Sequence, residues 1–218
     1  MKKVLGLLLT LLCLNAAFSQ SEKYQQAMTA NVSTLDTIRT PERWLEAANT
    51  FQRIADAEKS QWLPYYYASL GQVMYGFMLG TPGAGGNGDK TDPVADKAEE
   101  LIIKAEAINK ENSETFIIRK MIATLRMLAD PMNRWQTYGP QAAEALAKAK
   151  KLNPENPRVY FLEGQDKFYT PEEFGGSKTE AKALFEESMK KYETFKPEST
   201  IHPQWGLSQV KYFHSMCK

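Results

Sequence analysis

The groups best suited to metal binding or nucleophilic attack are scarce in this sequence. It holds two histidines, His202 and His214, and two cysteines, Cys13 and Cys217. His214 and Cys217 stand one helical turn apart and could share a face. Two ligands do not close a zinc site, and no second ligand pair is spaced to complete one. Glu99/Glu100, Glu172/Glu173 and Glu186/Glu187 are adjacent carboxylates. General acid–base work needs carboxylates that converge on one substrate, whereas neighbours on a helix diverge by about 100°. They read as solvated faces. No Gly-x-Ser-x-Gly elbow is present, and two imidazoles offer few bases. The sequence therefore predicts no enzyme, no metal and no cofactor.

The glycine-rich run Gly80–Pro93 invites a phosphate-binding reading. A phosphate cradle needs Gly-Lys-Ser/Thr between a strand and a helix. Here Asp89 separates Gly88 from Lys90, and helical sequence precedes the run. Asn87, Asp89 and Asp92 lack EF-hand spacing and the closing glutamate. A flexible connector is the expectation.

Aromatics are the positive feature. Trp62, Tyr65, Tyr66, Tyr67, Tyr75 and Phe77 fall within one helical stretch. Three consecutive tyrosines span about 200° of a helix, so at least one is expected to face a surface or groove. Exposed tyrosine is a favourable binding group, with a large ring, a hydroxyl and little entropy to lose.

The elements that must carry these residues begin after an export signal. Lys2 and Lys3 precede an apolar run, Val4 to Leu14, and Ala17-Phe18-Ser19 fits a cleavage site. Cys13 lies within the apolar run behind Leu12, which is not a lipid-attachment context. Cleavage after Ser19 would leave residues 20–218, with Gln20 first and formal charge moving from +1 to −1 as both lysines leave. A near-neutral chain without a basic block argues against nucleic acid, and no second long apolar run could span a membrane. One remaining cysteine makes no internal disulfide, so packing must supply stability. The expected location is exported, periplasmic or secreted, in a bacterial host.

An internal repeat follows. Lys104–Phe116 (KAEAINKENSETF) aligns with Lys148–Tyr160 (KAKKLNPENPRVY) at an offset of 44 residues. Ala48/Ala55, Ala98/Ala105 and Ala142/Ala149 are alanine pairs seven apart, and an aromatic follows each by eleven: Tyr66, Phe116 and Tyr160. Seven residues is close to two helical turns, so each pair marks one small-residue face against which another helix can pack. Thr40-Pro41 reads as an N-cap and first helical residue, opening a helix to about Glu58. Tyr24, Met28, Val32 and Leu35 form an earlier stripe. Further helices are expected near 62–79, 93–108, 113–129, 140–152, 157–169 and 178–195, with Pro203 opening the last.

This constellation resembles the tetratricopeptide repeat. Tyr67, Leu70 and Gly71 match the aromatic-x-x-Leu-Gly of its first helix, and Tyr160 and Gly164 keep two of those positions. Ala142, Leu146, Ala149 and Pro154 match the second helix. The period exceeds the usual 34 residues, and loop insertions near 80–93, 130–140 and 169–177 would absorb the excess. The resemblance implies an all-α fold of stacked antiparallel hairpins, a right-handed solenoid with a C-terminal capping helix whose buried side holds Trp205, Val210 and Phe213. It also implies a concave groove for a protein or peptide, lined by the first helices of the repeats. Carried over by position, the groove residues are Tyr65, Gln72, Tyr75, Ile117, Met121, Arg158, Gln165 and Tyr169. The leading functional expectation is thus a non-catalytic protein- or peptide-binding scaffold of the envelope. The alternative is a small-ligand or glycan-binding accessory protein that uses aromatic groove residues.

Overall fold

The computed structural model describes residues 22–80 and 87–217. The export segment, its cleavage site and Cys13 lie outside the described residues, as do residues 81–86 of the glycine-rich run. The described chain is helical throughout, with no strand among those residues. We number its helices α1 (22–32), α2 (Pro41–Ala57), α3 (Trp62–Leu79), α4 (Gly88–Ile108), α5 (Ser113–Ala129), α6 (Pro131–Leu152), α7 (Pro157–Tyr169), α8 (Lys178–Thr194) and α9 (Leu207–Met216). From α2 onward each helix packs against the next, and α3 also packs against α5.

Local chemistry sets the boundaries. Thr40 Oγ1 accepts the Arg43 amide at the start of α2, with Pro41 at the first helical position. Asn112 and Asn156, which align across the 44-residue offset, each cap a helix by accepting the amide two residues on, at 2.8 and 3.0 Å. Asn109 and Asn153, aligned likewise, end α4 and α6 with their amides on the carbonyls of Ala105 and Ala149. Much of the repeat is therefore a recurring stop-and-start signal around a tight turn. The alanine pairs are its packing counterpart. Ala48, Ala55, Ala98, Ala105 and Ala149 are all fully or almost fully buried. Ser69 and Ser113 donate to the carbonyls of Ala98 and Ala149 across adjacent helices, at 2.7 and 2.9 Å. Two glycines allow equally close approaches. A Cβ on Gly71 would meet that of Ala48 at 2.8 Å, and one on Gly164 would press into the Phe185 ring at 2.5 Å.

The end of one expected loop and nearly all of another are in fact helix. α4 starts at Gly88, so Asp89–Pro93 belongs to its first turns. α6 starts at Pro131 and runs through Gly139-Pro140 without a break. The excess of the period over 34 residues made 130–140 read as an insertion, and a proline inside a helix costs roughly 3 kcal/mol. Contacts remote in sequence hold the segment helical. Arg134 grips Asp92 with both guanidinium nitrogens, at 2.6 and 2.8 Å, and also donates to the Arg126 carbonyl. The final helix opens at Leu207, four residues beyond Pro203, because Gly206 takes a φ of +116° and turns the chain into it.

The three tyrosines correct a second expectation. Tyr65, Tyr66 and Tyr67 are all buried. α3 is apolar around its whole circumference, which is the pattern of an enclosed helix rather than a surface one. Neighbouring helices cover part of it, and Lys104 of α4 lies 6.0 Å over the Tyr65 ring. The remaining side is covered by residues 195–206, which run back across α3. Tyr67 donates to the Ile201 carbonyl (2.9 Å), and the Trp205 indole donates to the Tyr66 hydroxyl (2.8 Å). Burial, first, and then the Glu114 carboxylate hold the Tyr66 phenol well above its ordinary pKa.

Helix faces can be checked by a paired substitution. Ala149→Trp should destabilise the fold by about 1–3 kcal/mol through overpacking against α5. Glu99→Gln should stay within about 0.5 kcal/mol, since Glu99 is half-buried and shares Arg126 with Asp96. Urea unfolding that gives the two variants equal midpoints would show the faces to be wrongly assigned.

Candidate functional site

The last three helices place a cluster of aromatic rings at the surface. α7 ends at Tyr169 because Thr170 precedes Pro171 and takes an extended conformation. This leaves Phe168 and Tyr169 at its tip. α9 lays Val210, Phe213 and Cys217 toward the core. Phe213 packs among Phe161, Phe168 and Phe185, with ring centroids 6.0, 5.6 and 5.8 Å away. On this base stand two outer rings. Tyr169 meets Phe168 and Phe213 edge-on at 5.2 and 5.7 Å, and Tyr212 meets Phe213 edge-on at 5.6 Å. Tyr169 is 63% exposed and Tyr212 61%. Partial burial, and then the nearby Tyr212 hydroxyl, raise the Tyr169 pKa. Met216, one turn beyond Tyr212, is also exposed.

Lysines flank this surface. Lys178 of α8 places its ammonium 5.9 Å from the centre of the Phe168 ring. Burial raises the Cys217 thiol pKa, and the ammonium groups of Lys182 and Lys178 act in the opposite sense. His214 is engaged with Glu186 at 3.0 Å. His202 lies against the Trp62 ring and pairs with Ser199 and Glu198. Among the described residues no group of three or more His, Cys, Asp or Glu is placed to hold a metal ion.

Of the groove residues inferred from the sequence, Tyr169 is the exposed one. Tyr65, Gln72, Ile117, Met121 and Arg158 are buried, and Tyr75 and Gln165 are half-buried. Those five do not line an open groove, and the reason is internal. Segment 195–206 closes over Tyr66, Tyr67 and Arg158, and packing between neighbouring helices encloses the others. Arg158, with no exposed surface, holds Glu114 through Nε and Nη2 at 2.9 and 2.6 Å. Its Nη1 donates to the Trp205 carbonyl, and its guanidinium lies under the Phe195 and Trp205 rings at 4.9 and 5.6 Å. Burial is the largest effect and opposes its charge, but the Glu114 carboxylate together with the Tyr192 and Tyr66 hydroxyls outweighs it and raises the pKa. Asn156 and Tyr66 donate to the same carboxylate. The position that would read a ligand in an open array here reads the chain itself.

Sequence reasoning missed Tyr212, Lys178 and Lys182. A signal was available: α9 carries Tyr212 and Met216 four residues apart on the side away from Val210, Phe213 and Cys217, so it has two apolar faces rather than one. A separate groove of about 790 Å³ runs along α5 between α4 and α6. Its floor is Ile122, Ala123 and Ala145, with Phe116 and Tyr138 toward its ends. Among the described residues no helix is long and apolar enough to cross a membrane.

No protein-family model matches the chain, and no curated protein matches it in sequence. Among solved structures, the HusA haemophore from Porphyromonas gingivalis is similar at 35% identity and a TM-score of 0.77, over 89% of this chain and 92% of that one. The chain belongs to the HusA haemophore family. The match covers nearly the full length of both chains.

Proposed function

We propose that this protein is an exported, non-catalytic carrier that binds a large, flat, mostly apolar ligand of the haem class on the surface formed by Tyr169 and Tyr212, backed by Phe168 and Phe213. One observation carries the reading: in a chain of the haemophore family, these two tyrosines stand more than half exposed on a wall of mutually packed rings. Aromatic rings are normally enclosed, and a contiguous exposed apolar surface marks a binding site. Both tyrosines are anchored by edge contacts, so little freedom is lost when a planar ligand stacks on them. Saccharide recognition would ask for convergent amides and carboxylates beside the rings. Gln165, one turn before Tyr169, is the amide on that part of α7. The hairpin succession also supports reading the fold as a solenoid of tetratricopeptide type.

Titration with haemin, followed by the Soret band and by quenching of protein fluorescence, tests the proposal. The wild-type protein should give a saturable shift. Tyr169→Ala combined with Tyr212→Ala should weaken binding about tenfold or more, given roughly 0.5–1.5 kcal/mol for each lost aromatic contact. The unfolding midpoint should barely move, because both side chains are mostly in water. Unchanged affinity in the double variant would sink the proposal.

The scaffold reading keeps one observation in its favour, the groove between α4 and α6. Its lining residues on α5 recur as Phe116, Arg119, Ile122, Ala123 and Arg126, one face of a helix over about three turns, or roughly 15 Å. That length suits a short peptide better than a compact sugar.

A further inference from the structure

We propose that Lys178 and Lys182 form the carboxylate-recognising edge of the aromatic surface, so that its ligands are planar dicarboxylates. The inference rests on the carrier reading given above and assigns the polar half of that ligand's recognition.

Several lysines on and beside α7 and α8 are paired with carboxylates, whereas Lys178, Lys182 and Lys190 of α8 are in no ion pair among the described residues. Lys167 pairs with Glu180 at 2.6 Å, Lys191 with Glu155 and Glu187 at 3.0 and 3.5 Å, Lys150 with Glu163 at 2.9 Å, and Lys120 with Asp166 at 2.6 Å. Three of the four carboxylates of α8 are committed: Glu180 to Lys167, Glu186 to His214, Glu187 to Lys191. Lys178 and Lys182 have no acidic partner within ion-pair distance among the described residues. Their spacing of four puts them on one face of α8, one turn apart. α8 packs against α9, and Lys178 reaches over Phe168, which itself packs against Tyr169.

The arrangement therefore has two chemically different parts side by side. One is a ring-lined apolar surface, and the other is a pair of exposed cations without an ion-pair partner among the described residues. A ligand that stacks on the first and reaches the second must be flat, apolar over most of its area and doubly acidic along one edge. A porphyrin with two carboxylate arms on adjacent pyrroles has that form. Lysine rather than arginine suits the purpose, because a long flexible stem lets each ammonium follow a flexible acid chain.

The test compares haemin with haemin dimethyl ester, which keeps the ring and the iron but loses both charges. Wild-type protein should bind the diacid roughly tenfold more tightly than the diester, as expected for two exposed ion pairs. That preference should shrink as salt is raised. In the variant Lys178→Gln with Lys182→Gln, diacid affinity should fall to that of the diester, while diester affinity stays at the wild-type value. A double variant that keeps the full preference overturns the assignment of these lysines. Equal binding of diacid and diester by the wild type also overturns it, yet leaves the aromatic surface as the binding site. Failure of the wild type to bind either compound overturns the carrier reading itself. Because both side chains are exposed and make no ion pair, the variant should unfold at the wild-type midpoint, which separates a binding effect from a folding one.

Discussion

Replacing Glu114 with alanine should lower the unfolding free energy by about 3–5 kcal/mol, because it leaves the Arg158 guanidinium buried without its counter-charge. Arg158 has no exposed surface, and the Glu114 side chain is only 12% exposed. The loss extends beyond the ion pair. Tyr66 and Asn156 both donate to that carboxylate and would lose their acceptor, each at a further desolvation cost. Glu114→Gln should cost less, since an amide oxygen can still accept. Replacing both partners with apolar residues of similar size, Glu114→Leu with Arg158→Met, should recover much of the loss, as no charge is then stranded. Urea denaturation with a fixed slope provides the measure. A Glu114→Ala protein within 1 kcal/mol of wild type on the same scale as these costs would show that Arg158 finds water or another partner.

Trp205→Ala should be comparably severe, at about 3–5 kcal/mol for removing a buried tryptophan. Trp205 is 6% exposed, its indole donates to Tyr66, and its carbonyl accepts from both Arg158 and Tyr192. The backbone acceptor survives the substitution, but the ring that anchors it and stacks on Arg158 does not. Trp205→Phe keeps most of the ring and should cost mainly the indole hydrogen bond, about 1 kcal/mol. Glu114 and Trp205 act on the same arginine. Their substitutions should be non-additive, with a coupling of about 0.5–3 kcal/mol in a double-mutant cycle. Strict additivity would mean that the carboxylate and the indole stabilise the fold independently.

The hairpins were legible in the sequence because their signals are local. Asn112 and Asn156 cap, Asn109 and Asn153 stop, and Ala105 and Ala149 make room, all within short windows that repeat. The groove was not legible because its occupant comes from far away. Nothing near Arg158 announces Trp205, and nothing near Tyr67 announces Ile201, 134 residues distant. Arg158 stands at a position that faces a ligand in an open array, and the sequence gives no sign that the chain fills that space itself. Segment 130–140 misled for a related reason. Local propensity argues for a break, and Asp92, 42 residues before Arg134, argues against it. Register singled out Tyr169, which is exposed, while Tyr212 lies outside the repeat, in the helix that ends it.

In a linear stack of hairpins each unit touches mainly its neighbours, and such arrays can fray from either end while the middle stays folded. Segment 195–206 changes this. By tying Ile201 and Trp205 to Tyr67 and Tyr66 on α3, it links the two halves of the molecule with contacts between residues more than 130 positions apart. The last hairpin cannot peel away without exposing α3, and α3 cannot be exposed without stranding the Arg158 charge. The strap thus converts a modular stack into a single cooperative unit. It does so at a kinetic cost, since a contact of such high order closes only after a long loop of chain has been organised.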